Sequence, residues 1–196
     1  YTLSLHDALP IFPASLLMAI CRTNLRQIAP RHASPAMVLT ELNRVLADEI
    51  DAGLFVTMLY VVVDTAANTM TFARAGHELP LFARRDLVSG VYGTEFVGSE
   101  GMPLGMVPDK LFAATIADRT ESFARGDVCV LYTDGITEAP NEEDKEFSGA
   151  RLADIVRALH NRPAQEMNDG ILETVRRFGG GAAPRDDFTL VTIRRV

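Results

Sequence analysis

Apolar residues recur at helical spacing in two long stretches near the start of the chain. Leu17, Ile20, Cys21, Leu25 and Ile28 share one face between Pro13 and Pro30. Val38, Leu39, Leu42, Val45, Leu46 and Ile50 share another between Ser34 and Gly53. This i, i+3, i+4 recurrence predicts two amphipathic helices. Pro13 suits a first turn, Ser34 an N-cap and Gly53 a stop. Only the short basic loop around Arg31 and His32 separates them, so they should pack as a pair.

From Leu54 the pattern changes to short runs rich in β-branched and aromatic residues. Strands are expected over residues 54–63, 69–74 and 81–84, with turns at 64–68 and 86–90. The Gly- and Pro-rich stretch 98–108 reads as a long surface loop, and Leu111 to Ile116 as a strand. Val128 to Tyr132, bracketed by the turn pairs Gly126-Asp127 and Asp134-Gly135, reads as a buried central strand. Asn141 to Glu146 is a charged, solvated loop. Two more helical stripes follow: Leu152, Ile155, Val156 and Leu159, then Met167, Ile171, Val175 and Phe178. Pro163 starts the second of these and Gly179-Gly180-Gly181 ends it. Phe188 to Ile193 alternates as a last strand. Helices, then strands, then helices, then a strand argue for α+β with mainly antiparallel sheet.

Composition narrows the function without naming it. The 196 residues suffice for one domain with a real core, and 47% apolar with 23% charged residues is ordinary for a folded protein. A net charge of -7 disfavours a general nucleic-acid or anionic-membrane surface. Cys21 and Cys129 lie far apart, inside predicted elements, which suits reduced core thiols and a cytoplasmic setting. No apolar run is long enough to cross a bilayer, and no signal-peptide pattern opens the chain. A phosphate-binding glycine loop opening a helix is also absent.

The candidate chemistry is acidic. Asp134 stands at the mouth of the central strand, before a glycine that lets the backbone bend close. Asp134-Gly135 has two readings: a plain turn, or a carboxylate aimed at a metal. A second acidic site, Arg185-Asp186-Asp187, precedes the last strand and favours the metal reading. His6, His32 and His160 show no ligand spacing.

Five segments then occur in a telling order: Ala75-Gly76-His77-Glu78-Leu79-Pro80-Leu81, Met102-Pro103-Leu104-Gly105, Gly126-Asp127-Val128, Tyr132 to Ala139, and Asp186-Asp187-Phe188-Thr189-Leu190. Together they closely resemble the SpoIIE-type serine phosphatases, a bacterial branch of the metal-dependent protein phosphatase (PPM) family. Pro13 to Met18, Leu42-Asn43 and Phe55-Val56-Thr57 match as well. The likeness runs from Phe12 to the C-terminus.

The resemblance implies an αββα sandwich, two mainly antiparallel sheets flanked by helices. Its site would hold two Mn²⁺ or Mg²⁺ ions that activate a water for direct attack on a phosphoryl group. By matching motif, Asp134 and Asp186 would be metal ligands and carry the catalysis. Asp187 would be an orienting partner, Gly135 would permit close approach, and Thr189 and Arg185 would fix the turn carrying Asp186. Gly76 and His77 would support the site, His77 either as a general acid or as a brace for its loop. Glu138 is expected on a solvated rim.

One motif of the family has no counterpart. Its first strand ends Gly-Asp-x-Ser-Gly-His-Gly, and counting back from Phe12 puts that Asp on His6 and the Gly-His-Gly on Leu9, Pro10 and Ile11. Asp7 is one place out of register. Ser4 to Ile11 resembles the translation of a sequencing-library adapter, so residues 1–11 are expected to be a non-native leader and 12–196 a phosphatase domain whose first strands are missing. Such a loss would expose a sheet edge and weaken the metal pair.

The resemblance further implies a phosphorylated regulatory protein of the anti-sigma-factor-antagonist type as substrate. It also implies an N-terminal sensor or receiver domain in the parent protein, and a dimer or switch surface on the first two helices. Two other functions compete: a non-catalytic regulatory module with this fold, and a metal-dependent hydrolase of small phosphoesters.

Overall fold

The structure is a computed structural model that describes residues 5–49, 54–86 and 88–196, with side chains from Ala14 in the first helix and to Ala47 in the second. In chain order the elements are α1 (Leu5–Ile28), α2 (Pro35–Glu49), β1 (Met58–Asp64), β2 (Thr69–Ala75), β3 (Leu81–Arg85) and β4 (Tyr92–Phe96). There follow α3 (Asp109–Thr115), β5 (Arg119–Ser122), β6 (Val128–Tyr132), α4 (Asp134–Thr137), α5 (Gly149–Leu159), α6 (Ala164–Gly179) and β7 (Leu190–Arg194). The fold is α+β with two antiparallel sheets, ordered β1-β2-β5 and β4-β3-β6-β7. The chain divides into two compact units, the first formed by 1–63, 70–77 and 99–120, the second by 64–69, 78–98 and 121–196.

In the first unit, α1 and α2 lay the predicted stripes over β2. Leu17, Cys21 and Ile28 meet Val38, Leu39, Leu42 and Leu46, with Ala73 and Ala75 of the strand beneath them. Small alanines let the helices approach closely. Ser34 caps α2 as expected: its Oγ accepts from the Met37 amide at 3.1 Å. Gly53 and Ile50 lie outside the described residues, as do residues 1–4 and the side chains of His6 and Asp7. The helix expected from Pro13 has a helical backbone from Leu5.

Several segments singled out in the sequence meet here. Asn43, buried at 0% exposure, donates to Asp109 Oδ1 at 2.9 Å and accepts from the Gly105 amide at 2.9 Å. Leu104 exchanges backbone bonds with Val56 at 3.0 and 2.8 Å. Gly76, at φ +67, donates to the Gly101 carbonyl at 3.0 Å, and a Cβ on it would stand 2.5 Å from Pro103 Cγ. These residues hold one another. Asn43→Ala would strip an amide and a carboxylate oxygen of their shared partner, and is expected to cost about 2 kcal/mol in urea unfolding.

The second unit is built on the central strand. Leu81, Ala83, Val128, Val130 and Tyr132 face α5 and α6, whose Leu152, Val156, Met167, Ile171 and Val175 are the predicted stripes. Gly180 at φ +61 ends α6 in the left-handed conformation that glycine tolerates. Cys129 is buried on β6, and burial pushes its thiol up to about 12, so it stays protonated and inert.

Several elements differ from expectation. Leu111 to Ile116 is not a strand but lies in and just after α3: Phe112 and Ile116, four apart, are its buried pair, and Pro108 O accepts the first helical amides. β4 and β5 are additional strands, too polar or too glycine-rich to stand out by pattern. The final strand begins at Leu190 rather than Phe188.

Candidate metal and phosphoryl site

The site starts from the end of β6. Tyr132 is the last buried residue of that strand, and its hydroxyl donates to Glu78 Oε2 at 3.5 Å. Burial, reinforced by Glu78, pushes the phenol well above its usual range and keeps it protonated. Beyond Tyr132 the chain emerges at Thr133 and turns at once into the single helical turn of α4, closed by the Glu138 amide bonding to Asp134 O at 2.8 Å. Asp134 is therefore the first residue of a turn rooted in the core, with Gly135 and Ile136 buried directly behind it. Its carboxylate is exposed.

Thr133 fastens this tip to the segment before β7. Its amide donates to Thr189 O at 3.1 Å, its hydroxyl donates to Asp187 O at 3.3 Å, and the same hydroxyl accepts from the Thr189 amide at 3.1 Å. Gly135 lies flat against that segment: a Cβ there would stand 2.6 Å from Asp187 O and 3.5 Å from the Asp186 carbonyl carbon. The two acidic tips, 52 positions apart by number, are thus carried on backbones in direct contact.

Both carboxylates are set alike. Asp134 Oδ1 accepts from the Gly135 amide at 2.9 Å, and Asp186 Oδ1 accepts from the Asp187 amide at 2.7 Å. Each holds one oxygen against its own backbone, and the second oxygen has no protein donor among the described residues. Arg185 is turned to Asp144 of the 141–146 loop, so its charge is committed elsewhere. Asp187 and Glu138 are exposed.

Oxygen-only ligands at a solvated surface suit a hard divalent cation such as Mg²⁺ or Mn²⁺, which keeps waters in its shell. Among the described residues no group of three or more His, Cys, Asp or Glu side chains gathers closely enough to cage an ion. Two exposed carboxylates on touching segments are oxygen donors of the type such a cation takes, and they are fewer than a two-ion cage requires.

Gly76 and His77 belong to the first unit, whereas Asp134, Gly135, Asp186, Asp187 and Thr189 belong to the second. The His77 carbonyl accepts from Arg74 Nη1 at 2.7 Å, and its ring Nδ1 lies 3.4 Å from Thr57 Oγ1. Thr133 is the residue that sequence reasoning passed over. Its signal was position alone, the one polar residue between a buried strand and the acidic tip.

A model of the family described as stage II sporulation protein E (SpoIIE) matches residues 12–196. The chain is 29% identical over 183 residues to phosphoserine phosphatase RsbU of Bacillus subtilis (strain 168), covering 93% of this chain and 52% of that protein. It thus spans about half the length of that curated relative. The SiaA-PP2C domain of Pseudomonas aeruginosa superposes with a TM-score of 0.76 at 21% identity, over 93% of this chain and 70% of that one. The RsbU and RsbW domains of Rv1364c from Mycobacterium tuberculosis superpose at 0.74 and 24% identity, over 93% and 48%. At these identities the two structures speak for the fold. Among the described residues no helix is long and apolar enough to cross a membrane.

Proposed function

The chain belongs to the SpoIIE family, a branch of the metal-dependent protein phosphatases, and from that premise we propose that it is built to hydrolyse phosphoserine or phosphothreonine on a regulatory partner protein. The observation that carries this reading is the contact of Gly135 with the Asp186-Asp187 backbone, which puts two exposed carboxylates on touching segments. Asp134 and Asp186 would hold a divalent cation through their outward oxygens. Such an ion, when bound, supplies Lewis-acid polarisation of a phosphoryl oxygen and acidifies water. Asp187 and the Thr133 hydroxyl keep the Asp186 segment in place. Gly135 keeps the two segments close, and Arg185, tied to Asp144, stays out of the ion's position. His77 braces its own loop through Arg74 and Thr57 in this reading.

A phosphoprotein substrate is supported by the name of the RsbU relative, a phosphoserine phosphatase. An anti-sigma-factor antagonist is the partner class we favour, with an N-terminal sensor or receiver domain in the parent protein. Residues 1–11 are read as a foreign leader standing where the family carries a bridging Asp. On that reading the chain as it stands binds one ion poorly and turns over slowly.

The test is phosphate release from a phosphoserine peptide with Mn²⁺, for this chain and for a version with residues 5–11 replaced by Gly-Asp-x-Ser-Gly-His-Gly. The restored version should be faster by about 100-fold, on the order of 2.7 kcal/mol in the barrier. It should lose that gain with Asp134→Asn and on chelation of the metal. Activity that survives Asp134→Asn would remove the site assignment. Preference for an aryl phosphate over the peptide would instead favour a small-phosphoester hydrolase. The two-carboxylate donor set gives a second reading, a partner-binding module without catalysis, which silence of the restored version in this assay would favour.

A further inference from the structure

The segment between α4 and α5 closes into a hairpin that starts on the Asp134 turn and ends against the chain that carries Asp186. At its root, Thr137 O accepts from the Ser148 amide at 2.7 Å and Ala139 O from the Phe147 amide at 2.9 Å. Phe147 is buried and meets the Phe178 ring edge-on at 5.4 Å, so the root is anchored in the core. At the tip, Asn141 Oδ1 accepts from the Glu143 and Lys145 amides at 3.0 and 2.9 Å, and Asn141 O from the Asp144 amide at 3.0 Å. These bonds fix Asp144 at φ +62, a left-handed backbone that aspartate and asparagine tolerate. One flank of the hairpin abuts the end of α6: a Cβ on Gly180 would stand 3.1 Å from Glu142 Oε1. The Asp144 carboxylate accepts from Arg185 Nη2. The hairpin thus runs from the turn that carries Asp134 to the residue before Asp186, wholly within the second unit.

We propose that Asp144 is a positioning residue for the metal site, one that holds the Arg185 guanidinium off the Asp186 carboxylate so that a cation can take it. The inference rests on the reading of Asp134 and Asp186 as ligands. Arg185 has the sign of the ion, and its planar fork matches a carboxylate. It sits one residue from Asp186, which holds one oxygen against the Asp187 amide and leaves the other without a protein donor among the described residues. Released from Asp144, the guanidinium turns to that oxygen and competes with the ion for it. The Asp144–Arg185 pair is itself exposed, at 80% and 51%, so it adds little to the stability of the fold. Its consequence falls on the neighbouring carboxylate instead.

The test is Mn²⁺ titration of the full chain carrying Asp144→Gly or Asp144→Asn, each with Arg185 present and with Arg185→Gln. Both substitutions suit the left-handed tip; glycine removes the acceptor and asparagine only its charge. With Arg185 present, Asp144→Gly should weaken Mn²⁺ binding about fivefold, the strength of one exposed ion pair, and Asp144→Asn by less. With Arg185→Gln neither should weaken it, because the competing cation is gone. Urea midpoints should stay near the parent's throughout, which separates competition from unfolding. Full binding by Asp144→Gly would overturn the proposal. An equal loss in both backgrounds, or a loss that follows a fallen midpoint, would also overturn it and assign the effect to the charge or shape of the hairpin. Asp134→Asn in the same titration reports on the underlying reading. Binding that it leaves unchanged removes the site and the role of Asp144 together, whereas a loss there with none from Asp144→Gly strikes the role of Asp144 alone.

Discussion

Gly135→Ala is expected to lower Mn²⁺ affinity at least about tenfold while the core of the second unit stays folded. The added methyl would stand 2.6 Å from Asp187 O, closer than a carbon and an oxygen can approach, and the obstructing atom is backbone. Neither side yields easily. Gly135 is buried in the turn closed by the Glu138–Asp134 bond, and the Asp187 carbonyl is held by the Thr133 hydroxyl. The 186–189 segment must therefore swing away, carrying the Asp186 carboxylate with it. Leu81, Val130 and Val156 lie in the packed core rather than in this loop, so the stability loss should be modest, about 1–3 kcal/mol as for other overpacked sites. Metal titration alongside thermal unfolding separates the two effects. Unchanged affinity would show that the close approach of these segments is irrelevant to the ion.

Gly101→Ala is expected to be the most damaging single change in the first unit, costing 3 kcal/mol or more, roughly the scale of a severe core disruption. A Cβ there would be 1.8 Å from Arg74 O. Arg74 cannot retreat: its guanidinium donates to Ser99 O at 2.8 Å and His77 O at 2.7 Å, and its own strand lies in the sheet. Moving residue 101 instead would break the bond between its carbonyl and the Gly76 amide. A drop in the urea midpoint with an unchanged slope would identify the loss as stability of the native fold. A midpoint within error of the parent would contradict the packing described for this loop.

The elements that sequence pattern revealed are those whose side chains meet a core. β6 and the stripes of α2, α5 and α6 were legible because Val130, Leu42, Val156 and Ile171 are buried at the positions their periodicity marks. Edge strands lack that constraint. β4 alternates exposed and half-buried residues around Gly93, and β5 reads Arg-Thr-Glu-Ser, so neither carries an apolar signature. Leu111 to Ile116 fits strand alternation as well as helix, and the decisive detail was the spacing of the two residues that become buried, Phe112 and Ile116.

At the site, Asp134, Gly135 and Asp186 were visible as candidates through their motifs. Thr133 was not, because its role comes from three hydrogen bonds to a segment more than fifty residues away. The Asp134-Gly135 turn is one helical bond, and Asp134 stands exposed at its start.

The central claim, that Asp134 and Asp186 grip one cation between them, is tested most directly by Mn²⁺ titration of the 196-residue chain and of Asp134→Asn, Asp186→Asn and the double variant. Shared ligation predicts a single saturable site, a loss of about tenfold or more in each single variant, and a double variant little worse than either. Binding that persists undiminished in either single variant, or losses that simply add, would contradict it.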